Sequence, residues 1–244
     1  MRKFGLIGRN ISYSFSRKYF SNKFEREGIA ATYENFDLQE IEAFPKVISG
    51  NSNLKGLNVT IPYKEAIFPF LDNLDPVAEE IGAVNTIKIS EEGKLTGYNT
   101  DFYGFAEAIK PYLKPHHNKA LVLGTGGASK AVNYALNSLK IHTTFVSRSA
   151  SKNDIFYEDL SAEVLEENTV IVNTTPLGTF PKTEEFPALP VQHLSSCHLL
   201  FDLIYNPPKT TLMQMAEDRG ATVLNGQKML ELQAEKAWEI WNRG

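Results

Sequence analysis

Short apolar runs alternate with amphipathic stretches along almost the whole chain, and this alternation leaves few folds open. Strand-like runs at Lys3–Gly8, Thr32–Leu38, Lys55–Thr60, Ala120–Gly124, Thr143–Ser147, Val170–Asn173 and Leu199–Ile204 are separated by helical patterns. Parallel strands need long crossover connections and are covered on both faces, so the pattern reads as an α/β fold with mostly parallel sheets flanked by helices. The helical patterns run over Ser16–Gly28, with Tyr19, Phe20 and Phe24 on one face and Gly28 as the stop, and over Gln39–Ile48, interrupted by Pro45. A short helix runs from Pro62 through Phe68, another begins at Asp75-Pro76, and longer ones cover Asp101–Leu113 and Lys228–Trp241. The last is amphipathic through Met229, Leu232, Trp238 and Trp241. Val84–Ile89 and Lys94–Tyr98, joined through Glu91-Glu92-Gly93, read as a hairpin, and Thr179–Pro190 as a loop.

A chain of 244 residues is long for one core and comfortable for two domains. The formal net charge of -4 gives no basic excess with which to neutralise a polymer of phosphates, so nucleic acid is not an expected partner. A small anion is still compatible with this charge, because a local site can be positive inside an acidic protein. Cys197 is the single cysteine, which excludes an intrachain disulfide and a thiolate-built metal site and fits a reducing compartment. It precedes an apolar run and reads as a buried structural thiol. His116 and His117 lie in the polar break Lys114–Asn118 and read as solvated, so no metal site is expected. No run approaches the about 18 apolar residues of a membrane span, and the N-terminus lacks a secretory pattern. The expected location is the cytoplasm.

The segment Ala120-Leu-Val-Leu-Gly124-Thr-Gly126-Gly127-Ala128-Ser129 is a strand, a glycine turn and a helix start. In that context the backbone of Gly124, Gly126, Gly127 and Ala128 is suited to a pyrophosphate lying against the first N–H groups of the helix. Ser129 stands where a third small residue is usual and is small enough for close helix–sheet packing. The arrangement is Rossmann-like. The next strand ends in Ser147-Arg148-Ser149-Ala150-Ser151-Lys152, with no acid at its tip to accept from ribose hydroxyls. Arg148 and Lys152 supply positive charge, and Ser147 and Ser149 supply hydroxyls, which favours NADP. Asp154 a little further on keeps NAD open.

Short polar side chains also gather at strand ends in the first half: Ser12-Tyr-Ser14-Phe-Ser16, Asn58-Val-Thr60-Ile-Pro-Tyr-Lys64, Gly82-Ala-Val-Asn85-Thr86 and Asn99-Thr-Asp101. Ligands of open α/β sheets bind at the carboxyl ends of strands, so these groups suit a small hydroxylated acid.

Taken with Asn173-Thr-Thr-Pro-Leu-Gly178 and Asp202-Leu-Ile-Tyr-Asn-Pro207, these motifs resemble the shikimate dehydrogenase family, in that family's order and across nearly the whole chain. The resemblance implies reversible NADPH-dependent reduction of 3-dehydroshikimate to shikimate. It implies that Lys64 and Asp101 flank the reacting hydroxyl as a coupled acid/base pair, the proton being assigned to neither. Ser14 and Ser16 would hold the substrate carboxylate, and Thr60, Asn85, Tyr205 and Gln233 would contact the ring, with Asn58 close by. Gly226 would lie near the nicotinamide, Asn173 and Thr174 along the path to it, and Leu203 would also contact the cofactor. It implies two domains: residues 1–100 for the substrate, with the helix of residues 227–244 packing back onto them, and a Rossmann-like NADP domain over residues 101–226. The sequence departs from the family at Arg17, Phe20, Ser21, Thr179 and Asn225–Met229, which bears on specificity and rate. Dual activity on quinate, or a silent member that only binds nucleotide or a small acid, are the alternatives. Monomer and homodimer are both compatible with the sequence.

Overall fold

The first apolar run is a strand buried on both faces. Arg2–Gly8 (β1) pairs in parallel with Ala31–Asp37 (β2) on one side and Leu54–Val59 (β3) on the other. The structure is a computed structural model that describes residues 1–12, 14–148 and 155–243. Within it the chain separates into one unit of residues 1–100 with 233–244 and a second of residues 101–232.

In the first unit, Phe15–Arg26 (α1) connects β1 to β2, and Phe44–Ser49 (α2) connects β2 to β3. Tyr63–Ala66 (α3), Asn73–Leu74 (β4) and Pro76–Ile81 (α4) precede the hairpin of Thr86–Ile89 (β5) and Leu95–Tyr98 (β6). The sheet order is β2-β1-β3-β5-β6-β4, with β5 antiparallel to both neighbours. The Ser14 side chain caps α1, accepting from Arg17 N at 3.2 Å. Asp75 caps α4, where Pro76 takes the first position. Pro45 does not break a helix. It occupies the first turn of α2, where its missing N–H costs nothing, and a separate 3-10 turn, Ile41–Ala43, precedes it.

The aromatic residues of α1 enter a cluster in which Phe20 stacks on Tyr33 and Phe4 on Trp241, each at 4.8 Å between ring centroids. Trp241 fits only because residue 56 is glycine, since a Cβ there would lie 2.3 Å from the indole. Its Nε1 donates to the Ile87 carbonyl at 3.0 Å.

The second unit begins with Asp101–Ile109 (α5). The expected extension of this helix to Leu113 is not formed, because Pro111 turns Lys110–Tyr112 into a 3-10 turn. Lys119–Leu123 (β7), Gly127–Ser138 (α6), His142–Ser147 (β8), Ile155–Phe156 (β9), Ala162–Glu167 (α7) and Val170–Asn173 (β10) follow. Leu199–Asp202 (β11), Thr211–Glu217 (α8), Thr222–Leu224 (β12) and Gln227–Asn242 (α9) complete the chain. The sheet order is β12-β11-β10-β7-β8-β9, and every pairing is parallel. Residues 227–232 of α9 belong to this unit and residues 233–242 to the first.

Two expectations are corrected here. Cys197 is exposed, because it stands in the turn ahead of β11 and not in the strand. His117 is buried. Its Nδ1 accepts from Lys114 N and its Nε2 lies 3.1 Å from the Cys197 carbonyl, so the ring closes the polar break, and burial lowers its pKa.

Candidate active site

The topology of the first sheet sends its polar residues to one edge. Residues after β1 and β3 leave at the carboxyl ends of these strands. Because β5 runs the other way, Asn58 pairs with Thr86 at the start of β5, and Thr86 pairs with Tyr98 at the end of β6. Asn85, Thr86, Asn99 and Thr100 therefore share the edge of Asn58 and Thr60.

Side chains there form one buried network. The Tyr33 hydroxyl donates to Asn58 Oδ1 at 2.7 Å, and Asn58 Nδ2 donates to Thr86 Oγ1 at 3.2 Å. Thr86 Oγ1 donates to Asn85 Oδ1 at 3.1 Å, which also accepts from Thr100 N at 2.7 Å. That backbone bond fixes which way the Asn85 amide faces, and its Nδ2 reaches Thr100 Oγ1 at 3.1 Å and Gln233 Oε1 at 3.5 Å. Asn58, Thr86, Asn85, Thr100 and Gln233 are all buried. Ser16 joins through a hydrogen bond to Tyr33, whose phenol burial holds well above its usual pKa.

Of the sequence candidates in this unit, the network thus unites Ser16, Asn58, Asn85 and Gln233. Ser14 is the α1 cap, and Thr60 is half-buried just past β3, its N–H on the Ile7 carbonyl. Lys64 is half-buried in α3, its own carbonyl accepting from Val84 N at 2.8 Å. Tyr33, Thr86 and Thr100 were not singled out as site residues. The two threonines stand inside quoted motifs, whereas Tyr33 carries no local signal.

In the second unit the chain order reverses between β7 and β10, which are neighbours, and the glycine turn leaves β7 at this switch point. Gly124 has φ +98°, and a Cβ there would also press on Thr174 Oγ1 and Thr175 at 3.1 Å, so glycine is required. Above Gly126 and Gly127 a Cβ would meet nothing within 4 Å. No side chain caps α6, and Ser129 turns its hydroxyl back to the Gly126 carbonyl at 2.5 Å. A twelve-residue helix without a side-chain cap thus begins at glycines whose Cβ positions are open, an arrangement that fits a pyrophosphate. Ala128 follows in the first turn of α6.

The other carboxyl ends carry the remaining candidates. Ser147 is buried at the end of β8 and Arg148 is exposed beyond it. Ser149, Lys152 and Asp154 lie outside the described residues. Thr174 Oγ1 donates to the Leu123 carbonyl at 2.7 Å, tying the end of β10 to the glycine turn. Asn173 is fully buried, and Leu203 N donates to its carbonyl at 3.0 Å. Gly226 N donates to the Ile204 carbonyl at 3.0 Å, and a Cβ on Gly226 would lie 2.0 Å from the Leu203 carbonyl oxygen, so no other residue fits. Tyr205 is exposed, and Asp101 is buried at the start of α5, where a carboxylate suits the helix dipole. Asp202, absent from the candidates, is a fully buried carboxylate at the end of β11.

An all-parallel sheet with a glycine turn at its switch point, and a second α/β unit with polar side chains on one sheet edge, define a two-part α/β protein with a Rossmann-like half. The family model for the shikimate dehydrogenase substrate binding domain matches residues 6–87. A shikimate dehydrogenase (NADP(+)) of Methanosphaera stadtmanae is 36% identical over 97% of this chain and 90% of its own. The crystal structure of shikimate dehydrogenase from Aquifex aeolicus matches with a TM-score of 0.88 at 34% identity, over 99% of this chain and 92% of that one. That of the Thermus thermophilus enzyme, in complex with NADP(H) and shikimate, matches with a TM-score of 0.88 at 31% identity, over 99% and 94%. The chain belongs to the shikimate dehydrogenase family.

Proposed function

We propose that this protein is an NADP-dependent shikimate dehydrogenase, which interconverts 3-dehydroshikimate and shikimate in the cytoplasm as a step toward aromatic amino acids. Residues 1–100 with the end of α9 bind the acid, and residues 101–226 bind the cofactor. The observation that carries the reading is the buried Asn58–Thr86–Asn85–Thr100–Gln233 network at one sheet edge, in a chain 36% identical to a relative of that name. A set of neutral donors and acceptors, locked to one another, suits ring hydroxyls that must be read by direction.

The cofactor, when bound, supplies the hydride for the ketone carbon. The chain's own groups do the rest. Ketone reduction also consumes one proton at the carbonyl oxygen, and alcohol oxidation releases it. Lys64 and Asp101 handle that proton as a coupled pair, the ammonium stabilising the developing alkoxide. Ser14 and Ser16 hold the carboxylate, and Thr60, Asn85, Gln233 and Tyr205 orient the ring, with Asn58 bracing them. Gly124, Gly126, Gly127 and Ala128 bind the pyrophosphate. Arg148, with Ser147, Ser149 and Lys152, binds the ribose phosphate, and Asn173, Thr174, Leu203 and Gly226 border the nicotinamide.

The test is NADP reduction by purified protein with shikimate, run beside quinate and beside NAD. Turnover with shikimate and NADP at the highest kcat/KM is expected. Absence of turnover with either acid and either cofactor overturns the reading.

A further inference from the structure

Among the described residues of the second unit is a buried carboxylate that this chemistry does not use. Asp202 is fully enclosed at the end of β11. Its Oδ1 accepts from Asn173 Nδ2 at 3.0 Å and from Ile204 N at 3.1 Å, and its Oδ2 accepts from Thr210 Oγ1 at 2.7 Å. The three donors come from three segments: the end of β10, the turn after β11, and the cap of α8. None is charged. A buried carboxylate without a cation is costly, and its pKa is pushed up to about 6 by burial, against the pull of these three hydrogen bonds. The three donors converge from different directions, and only a carboxylate offers enough acceptor sites for all of them.

Two of the three donors lead to residues on the cofactor side, and the third starts a helix. Asn173, held by its Nδ2, turns its Oδ1 to Thr175 N and Thr175 Oγ1 at 3.0 and 2.7 Å, which shapes the segment beginning at Thr174. Ile204, held by its N–H, follows Leu203, whose carbonyl leaves room only for glycine at 226, and its own carbonyl accepts from Gly226 N. Thr210 accepts from Met213 N at 3.3 Å and so starts α8.

We infer that Asp202 is a positioning residue for the dinucleotide, a strut that sets Asn173, Leu203 and Gly226 at the height the nicotinamide end requires. The inference rests on the NADP reading above. Asp202 acts through its three partners and takes no proton from the substrate.

The experiment compares wild type, Asp202→Ala and Asp202→Asn by calorimetric titration with NADP alone, without substrate or turnover, and then by steady-state kinetics. Asp202→Ala releases all three donors and is expected to weaken NADP binding roughly tenfold, the worth of one charge-assisted hydrogen bond. The loss should fall on KM for NADP more than on KM for shikimate. Asp202→Asn keeps one oxygen for Asn173 and Ile204 and turns its amide toward Thr210, which can accept. It is expected to stay within about threefold of wild type at neutral pH, and it remains informative if the alanine variant does not fold. Equal NADP affinity in wild type and Asp202→Ala, equal rises in KM for NADP and for shikimate, or a loss well beyond about threefold in Asp202→Asn overturns the strut alone. A wild type that does not bind NADP overturns the cofactor reading along with it.

Discussion

Lys23 on α1 places its ammonium 3.0 and 2.9 Å from the two carboxylate oxygens of Glu235 on α9. The Tyr19 hydroxyl donates to the same carboxylate, and Glu27 also accepts from Lys23, at 3.2 Å. The pair joins the helix that carries Ser14 and Ser16 at its start to the helix that carries Gln233. Its two halves differ in exposure: the Lys23 side chain is 8% exposed and that of Glu235 44%. Glu235→Ala therefore leaves a buried ammonium with Glu27 as its remaining carboxylate and removes the carboxylate that accepts from Tyr19, whereas Lys23→Met leaves a carboxylate that water can reach. Urea unfolding is expected to find Glu235→Ala destabilised by about 2–3 kcal/mol and Lys23→Met by about 1 kcal/mol. The reverse order would show that the exposed partner, not the buried one, sets the cost.

Gly56 makes a sharper steric case. An alanine methyl would sit 2.3 Å from Cδ1 and Nε1 of Trp241, a residue that is 6% exposed and hydrogen-bonded to Ile87. Relief requires the indole to leave both its bond and its stack on Phe4. Gly56→Ala is expected to cost about 2–4 kcal/mol. A loss below about 0.5 kcal/mol in urea unfolding would mean that α9 shifts freely over the sheet.

These two cases mark where sequence reading stops. The parallel strands were legible because both their faces are covered, so Val170–Asn173 runs without a polar break on any exposed side. The glycine turn was legible because strand, turn and helix start are contiguous. Tyr33 and Asn58 are 25 positions apart and meet across the intervening β1, a pairing that sheet order creates and no local pattern announces. The same holds for Gly56 under Trp241. Asp202 stood in a recognised motif, yet its role depends on donors at positions 173, 204 and 210 converging on one carboxylate. Cys197 and His117 were misjudged because residue-type tendencies were applied to a turn, where backbone hydrogen bonding decides which side chain turns inward.

In the proposed mechanism Lys64 stands at the reacting oxygen, and its bond would strengthen as charge develops. Lys64→Ala is expected to lower kcat by roughly 100- to 10,000-fold, with a much smaller change in KM for shikimate. A variant that keeps near-native kcat would remove Lys64 from the chemistry and leave it a role in binding.

Arg148 is exposed at the end of β8, close enough to Tyr157 to lower the pKa that burial raises there. Its side chain is exposed, so its removal is expected to change stability little. Arg148→Ala is expected to lower kcat/KM for NADP roughly tenfold or more while that for NAD stays within about twofold. Equal losses with both cofactors would assign Arg148 to a part of the dinucleotide that the two share.

Asp202 also predicts how stability changes with pH. Its folded pKa of about 6 lies above its ordinary value of 3.8, so between these limits the folded protein holds a proton that the unfolded chain has released. Stability from this group is full below the lower value and is lost as pH rises through the folded pKa, because the carboxylate must then be charged inside the fold. The gap corresponds to a loss on the order of 3 kcal/mol. Exposed carboxylates such as Glu27, Glu167 and Glu239, held low by lysine or arginine neighbours, push the total the other way. The quantity to measure is therefore the difference between wild type and Asp202→Asn, in which those groups cancel. Urea unfolding of both from about pH 4 to about pH 7 is expected to show wild type losing stability relative to the variant across that range. A flat or rising difference would mean that Asp202 is ionised at no net cost, and that its three hydrogen bonds fully replace the water it gave up.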